Sequence, residues 1–135
     1  MHRGFGTPTS VIGVLRGDLS SPALMLRADM DALAMEEETG LPFGSCIPGI
    51  MHGCGHDGHM ASLLGAAQIL SDRRQTLSRP VVFLFQPAEE GKGGARKLTE
   101  AKLISSFNIG WALGIHFWPG LPYGQFFTRP GPITA

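Results

Sequence analysis

The sequence has no excess of either charge, because 11 lysine and arginine residues balance 11 aspartate and glutamate residues. A chain without a net field has little to hold a polyanion, so nucleic acids and acidic membrane surfaces are disfavoured as partners. No run approaches the roughly 18 consecutive apolar residues that a membrane helix requires. We therefore expect a soluble protein in the cytoplasm.

Cysteine is scarce as well. Cys46 and Cys54 are too few for a disulfide scaffold, although one bridge between them is compatible with the sequence. The length of 135 residues suits one globular domain with a core of its own. Glycine and proline, in contrast, are abundant at 19 and 10 residues without any repeat, which predicts tight turns between short elements.

The apolar pattern predicts an α/β fold. Apolar runs at 11–15 and 23–28, separated by turn residues, predict two strands joined as a hairpin. The segment 36–56 is rich in glycine and proline, which predicts a long functional loop. The remaining predicted elements are helices over 57–73 and 95–104, strands at 81–85 and 111–117, and a short edge strand at 124–127. Because crossover connections join parallel strands, the strands at 23–28, 81–85 and 111–116 should share a mostly parallel sheet flanked by helices.

Potential metal ligands and proton-handling groups follow these three strands. Asp29 and Asp31 end the first, Glu89 and Glu90 follow the second, and His116 ends the third. Ligands of open parallel sheets bind outside the carboxyl ends of the strands, so these groups should meet at one rim. The loop that opens the first crossover helix adds His52, Cys54, His56, Asp57 and His59 to the same rim.

The loop around Cys54 and His56 is the most informative segment, since thiolate and imidazole are preferred zinc ligands and the intervening glycines let the backbone fold around an ion. Two other interpretations are weighed against it. One is an inert buried cysteine beside histidines that cap a helix. The other is a Cys-His nucleophile pair, which predicts a reactive, low-pKa thiol at Cys54 and leaves Glu89 and Glu90 without a task.

The acidic groups and His116 also have structural alternatives. Glu89 and Glu90 are adjacent in a turn, so their side chains should point in different directions, one binding metal and the other taking a proton from the attacking water. The alternative is a solvated acidic pair at a helix start. Asp29 and Asp31 are equally typical of turns and caps, and His116 alone is typical of a core histidine.

Four motifs match those of a known family in order and spacing: RADMDAL (27–33), MHGCGHDGH (51–59), FQPAEEG (85–91) and GIH (114–116). Together they resemble the M20 metallopeptidase family, in particular its amidohydrolase branch of hippurate, N-acyl-amino-acid and auxin-conjugate hydrolases. The resemblance implies a metal-dependent amidohydrolase that cleaves the amide bond of small N-acyl amino acids by metal-activated water. It also implies two divalent ions, zinc or manganese, with cobalt and nickel also suited.

The resemblance implies roles for individual residues. Cys54, His56, Glu90 and His116 would bind the two ions, Glu89 would be the general base, and Asp31 would support the site. Relatives usually have a proline where this chain has Ala34, a position that touches no ligand.

The larger departure from the family is length. Its members continue with an inserted lid domain that also mediates dimerisation, followed by one more histidine ligand. We therefore expect residues 1–135 to form a partial metal-binding catalytic domain that lacks the lid. The competing hypothesis is an inactive truncated metal-binding fragment without turnover of its own, and a homo-oligomer is compatible with either.

Overall fold

A five-stranded sheet forms the centre of the structure, a computed structural model that describes residues 1–132. The strands are β1 (His2–Arg3), β2 (Val11–Leu15), β3 (Ala23–Asp29), β4 (Val81–Gln86) and β5 (Ile109–Gly114). Their order across the sheet is β1-β2-β4-β3-β5. β3 is parallel to both β4 and β5, whereas β1 and β2 are antiparallel to their neighbours. The predicted α/β class and the predicted parallel sheet are thus confirmed.

Three helices connect and cover the strands: α1 (His56–Asp72), α2 (Gly94–Glu100) and α3 (Leu103–Ser106), with a 3₁₀ turn at Arg74–Thr76. α1 confirms the helix predicted over 57–73. The helix predicted over 95–104 is divided in two because Lys102 adopts a left-handed φ of 63°, which interrupts the helical path. None of the helices within residues 1–132 is long and apolar enough to cross a membrane.

The apolar run of β4 is explained by helices on both faces of the sheet. Val82 and Leu84 pack in one core with Leu98 of α2, and Phe83 packs in a second core with Leu63 of α1. A strand buried on both faces reads as a continuous apolar run, because neither set of alternating side chains meets water. The carboxyl end of β4 is therefore fixed on both sides where the polar groups begin.

The predicted hairpin is wrong. β2 and β3 do not pair, because β4 lies between them, antiparallel to β2 and parallel to β3. Gly17 in the connection lies so close to the carbonyl of Arg79 that a Cβ atom there would collide with it, and Asp18 donates a backbone hydrogen bond to Leu77. The connection therefore follows the segment before β4 instead of closing a tight turn.

The end of the chain also differs from expectation. β5 ends at Gly114, so His116 follows the strand instead of lying in it, and the edge strand predicted at 124–127 is wrong because these residues are exposed and irregular. The loop predicted at 36–56 is confirmed as largely irregular up to the start of α1, with one isolated bridge between Leu33 and Met51.

Candidate metal centre

The structure brings together the six residues to which the sequence assigns roles, at the edge where β3 and β4 end and α1 begins. They are Asp31, Cys54, His56, Glu89, Glu90 and His116. One ligand atom from each of Cys54, His56 and His116 lies within 4.8 Å of the others, and the same holds for His56, Glu89 and Glu90. His56 belongs to both groups and is thus the centre of the candidate site.

His56 presents an unpaired nitrogen to the site. Its side chain is 0% exposed, and Nδ1 lies 2.8 Å from the backbone oxygen of Asp31. A carbonyl oxygen only accepts, so Nδ1 carries the proton and Nε2 has a free lone pair. Within the described residues Nε2 has no hydrogen-bond partner, and it lies 3.8 Å from Oε1 of Glu90 and 4.0 Å from Oε2 of Glu89. A buried unpaired nitrogen is costly, which indicates a ligand at this point.

Asp31 holds the turn that carries the two glutamates. Its Oδ1 accepts the backbone N–H of Glu89 at 3.0 Å, and its Oδ2 accepts that of Glu90 at 2.9 Å. Burial opposes ionisation of Asp31, but these hydrogen bonds prevail and its pKa lies below the ordinary value. The side chain thus acts on the backbone of the glutamates and not on a reacting group.

The turn itself has a strained start and a tight end. Ala88 has a φ of 59°, a conformation that non-glycine residues rarely adopt and that tends to occur at functional sites. A Cβ atom at Gly94 would collide with the carbonyl of Pro87, so only glycine fits there. The expectation that Glu89 and Glu90 point in different directions is wrong, because this turn and the grip of Asp31 bring both carboxylates to within 4.0 Å of the same nitrogen of His56.

Cys54 and His116 form the outer side of the site. Sγ of Cys54 lies 3.5 Å from Nε2 of His116, whose Nδ1 donates to the backbone oxygen of Phe117. Burial raises the pKa of the Cys54 thiol, and Glu90 and Glu89 raise it further through a hydrogen bond and their negative charges. This contradicts the low-pKa thiol that the nucleophile interpretation requires. A bound cation would offset these carboxylates and favour the thiolate form.

Asp29 and His59 form a buried pair beneath this outer side. Each is 2% exposed, and Oδ1 of Asp29 lies 2.6 Å from Nδ1 of His59. Oδ2 of Asp29 lies 2.8 Å from Nη1 of Arg27, whose Nε donates to Gln86 at 3.0 Å. Arg27 and Gln86 were not predicted as site residues, although a charged residue in a buried strand is itself a signal that a partner is present.

Besides Asp31, which binds backbone N–H groups, two residues of the predicted rim contribute no atom to the groups that could hold an ion. Asp57 is exposed on the first turn of α1, where a negative charge favours the helix. His52 has a buried Nδ1 without a partner among the described residues, yet it contributes to none of the three groups that could hold an ion.

The sequence pattern of Peptidase family M20/M25/M40 matches residues 25–133, which is most of the chain. This chain belongs to the M20 family. It is 44% identical to thermostable carboxypeptidase 1 of Saccharolobus solfataricus over all of this chain and 34% of the relative. It is also 44% identical to N-acetylcysteine deacetylase of Bacillus subtilis over 94% of this chain and 33% of the relative.

A solved M20 structure has the same fold. The crystal structure of the Bacillus subtilis YXEP protein, a dinuclear metal-binding peptidase, superposes with a TM-score of 0.83 at 43% identity, over 90% of this chain and 33% of that one. The M20 chain described here thus spans about a third of the length of these relatives. The predicted family is confirmed.

The residues of this M20 chain fit a divalent ion. Thiol, imidazole and carboxylate groups are the donor set of zinc and of similar first-row metals. The unpaired Nε2 of buried His56 faces that set, and its proton is held on the opposite nitrogen, as metal-binding histidines require. The donor chemistry and the orientation of His56 therefore agree.

Proposed function

We propose that this chain forms the metal-binding part of an amidohydrolase that cleaves the amide bond of small N-acyl amino acids without a covalent intermediate. The observation that carries the proposal is the buried, unpaired Nε2 of His56, which lies near Cys54 and His116 and within 4.0 Å of three carboxylates, those of Asp29, Glu89 and Glu90. The relatives support the substrate class, since one is named a carboxypeptidase and another an N-acetylcysteine deacetylase. Both names describe hydrolysis of an amide bond.

Cys54, His56, Glu90 and His116 would hold two divalent ions, zinc or manganese, with cobalt and nickel also suited to this mixed donor set. Bound ions of this kind polarise a carbonyl oxygen and make water a nucleophile at neutral pH. The chain's part is to orient the donors. Asp31 does so twice, since its backbone oxygen fixes the tautomer of His56 and its carboxylate holds the backbone of Glu90.

Glu89 is the proposed general base. Its side chain is 41% exposed, against 35% for Glu90 and 0% for His56, so water can reach it. Oε2 of Glu89 would take the proton of the attacking water and return it to the leaving amide nitrogen. Asp31 would support this transfer by holding the backbone N–H of Glu89, which limits the movement of the carboxylate.

The proposal includes the wider organisation of the protein. Residues 1–135 would form part of a metal-binding catalytic domain, in a cytoplasmic protein. The rival hypothesis is a metal-binding protein without turnover of its own. The chain spans about one third of the relatives' length.

Metal binding is tested first, with a matched pair of cysteine variants. Cys54→Ser should lose metal stoichiometry, measured by elemental analysis after dialysis against zinc or manganese, because a hydroxyl replaces a thiolate ligand. Cys46→Ser is the control, since Cys46 is exposed and outside the site. Equal metal content in both variants would refute the assignment of Cys54.

An activity assay distinguishes the amidohydrolase hypothesis from the hypothesis of a metal-binding chain without turnover. The chain and a full-length relative are assayed side by side on a panel of N-acyl amino acids with zinc or manganese supplied. Hydrolysis by the chain supports the amidohydrolase. Metal binding without hydrolysis, under conditions in which the relative is active, supports the fragment hypothesis.

A further inference from the structure

Both ring nitrogens of His59 are engaged by protein groups. Nδ1 lies 2.6 Å from a carboxylate oxygen of Asp29, and Nε2 lies 3.0 Å from the backbone nitrogen of Phe117. A carboxylate only accepts and a backbone N–H only donates, so the two contacts are satisfied together by a neutral ring with its proton on Nδ1. His59 therefore has one defined tautomer in the folded chain.

The carboxylate that sets this tautomer is itself fixed. Arg27 lies 2.8 Å from the second oxygen of Asp29 and also donates to Gln86 on the neighbouring strand β4. Asp29 is 2% exposed, and its two carboxylate oxygens contact Arg27 and His59. His59 is thus attached to the rigid end of the parallel sheet.

Phe117 connects His59 to the candidate metal site. Phe117 accepts a hydrogen bond from Nδ1 of His116, and this bond turns Nε2 of His116 toward Cys54 at 3.5 Å. The ring of Phe117 lies against α1 at Gly58, where a Cβ atom would collide with it. The backbone around His116 is therefore held to α1 by a ring contact and by the hydrogen bond to His59.

We propose that His59 is a positioning residue that holds the Phe117 backbone and thereby sets the place of His116, without being a metal ligand. Asp29, His56 and His59 are close enough to form a third group around an ion, but both nitrogens of His59 are already used. The inference rests on the proposed metal site, because the part of His116 in it is a proposal. His59 has its own hydrogen bonds, which are measurable without metal.

Two substitutions test the two hydrogen bonds of His59 separately. In His59→Asn the side-chain amide can still donate to Asp29, but nothing reaches Phe117. In His59→Gln the amide oxygen reaches the position of Nε2 and can accept the Phe117 N–H. Titration of the whole 135-residue chain with Zn²⁺ against a chromophoric chelator should show affinity reduced about 10–100-fold in His59→Asn, with His59→Gln closer to the wild type. His2→Asn, at an exposed histidine of β1, is the control.

The outcomes are distinct. Wild-type affinity in His59→Asn, or equal losses in both variants, would overturn the positioning role. Loss of a whole equivalent of zinc in both variants, as expected for Cys54→Ser, would make His59 a ligand and also overturn it. Intermediate affinity in His59→Gln supports it.

A measurement on the metal-free wild-type chain needs no variant. It tests the inference even if the substituted chains do not fold. Nitrogen-15 chemical shifts of His59 should show a protonated Nδ1 and an unprotonated Nε2, and the Phe117 amide should exchange slowly with solvent. A protonated Nε2 or a rapidly exchanging amide overturns the inference. If the wild type bound no zinc, the proposed function would be refuted. The chemical shifts would still show whether His59 makes the two hydrogen bonds.

Discussion

The two sides of the candidate site differ in how they are held. On the inner side, Asp29, His56 and His59 are at most 2% exposed. Hydrogen bonds hold His56 to the backbone of Asp31, His59 to Asp29, and Asp29 to Arg27 of β3. On the outer side, Glu89 and His116 are exposed and lie on a turn and on an irregular segment. The comparison indicates that the inner side provides rigid orientation, whereas the outer side meets the solvent and depends on a few hydrogen bonds for its position.

The largest effect is expected at Glu89 on the outer side. In an enzyme form with turnover, Glu89→Gln should keep its metal and lose about 10²–10⁴-fold in kcat, because the amide cannot take a proton. Glu90→Gln should lose metal affinity first. The control is Glu100→Gln, at an exposed glutamate of α2. Substantial activity and full metal content in both site variants would make the pair ordinary surface charge.

A second prediction compares the packing of strands β4 and β5. Leu84 in β4 is 2% exposed and Leu113 in β5 is 56% exposed. Leu84→Ala should lower the free energy of unfolding by about 2–5 kcal/mol, because it leaves a cavity in the core. Leu113→Ala should stay within about 0.5 kcal/mol of the wild type. Urea unfolding curves measure both, and similar losses would show that β5 is as well packed as β4.

Asp31 joins the two sides, and its substitution should have an intermediate effect. Asp31→Asn keeps one acceptor oxygen but presents an amide N–H₂ group to the other backbone donor of Glu89 and Glu90. Loss of a hydrogen bond to a charged group should lower the free energy of unfolding by about 1.5–3 kcal/mol. A free energy of unfolding equal to that of the wild type would mean that the turn keeps its shape without the carboxylate.

The smallest effect is a pH dependence from the same carboxylates. The pKa values of Asp29 and Asp31 both lie below the ordinary value of 3.8, so the unfolded chain binds more protons than the folded chain in this range. Their contribution to stability is present above that value and is lost as the pH falls through the folded pKa values. The free energy of unfolding should fall below about pH 4, less steeply in Asp31→Asn. Identical slopes would count against an ionised Asp31.

Local patterns in the sequence were sufficient for the elements that carry the site. The apolar run of β4 and the helical spacing of α1 follow from burial of one or both faces, and a ligand motif such as Cys54 and His56 is compact enough to recognise in the chain. The motif at Glu89 and Glu90 is equally local. Such local patterns do not predict which residues lie next to each motif in the folded chain.

Only the tertiary structure decided the partners. β2 and β3 look like a hairpin because they are close in the sequence, yet β4 lies between them and pairs with both. The order of the strands depends on which strand gains most from burial in the middle of the sheet. His59 likewise has a helical position that explains its burial but not its role. Its contacts with Asp29 and Phe117 span 30 and 58 residues of sequence. The sequence by itself determined which groups could hold a metal, and the folded backbone decided which nitrogen of His56 is left free for it, because hydrogen bonds between distant segments set that orientation.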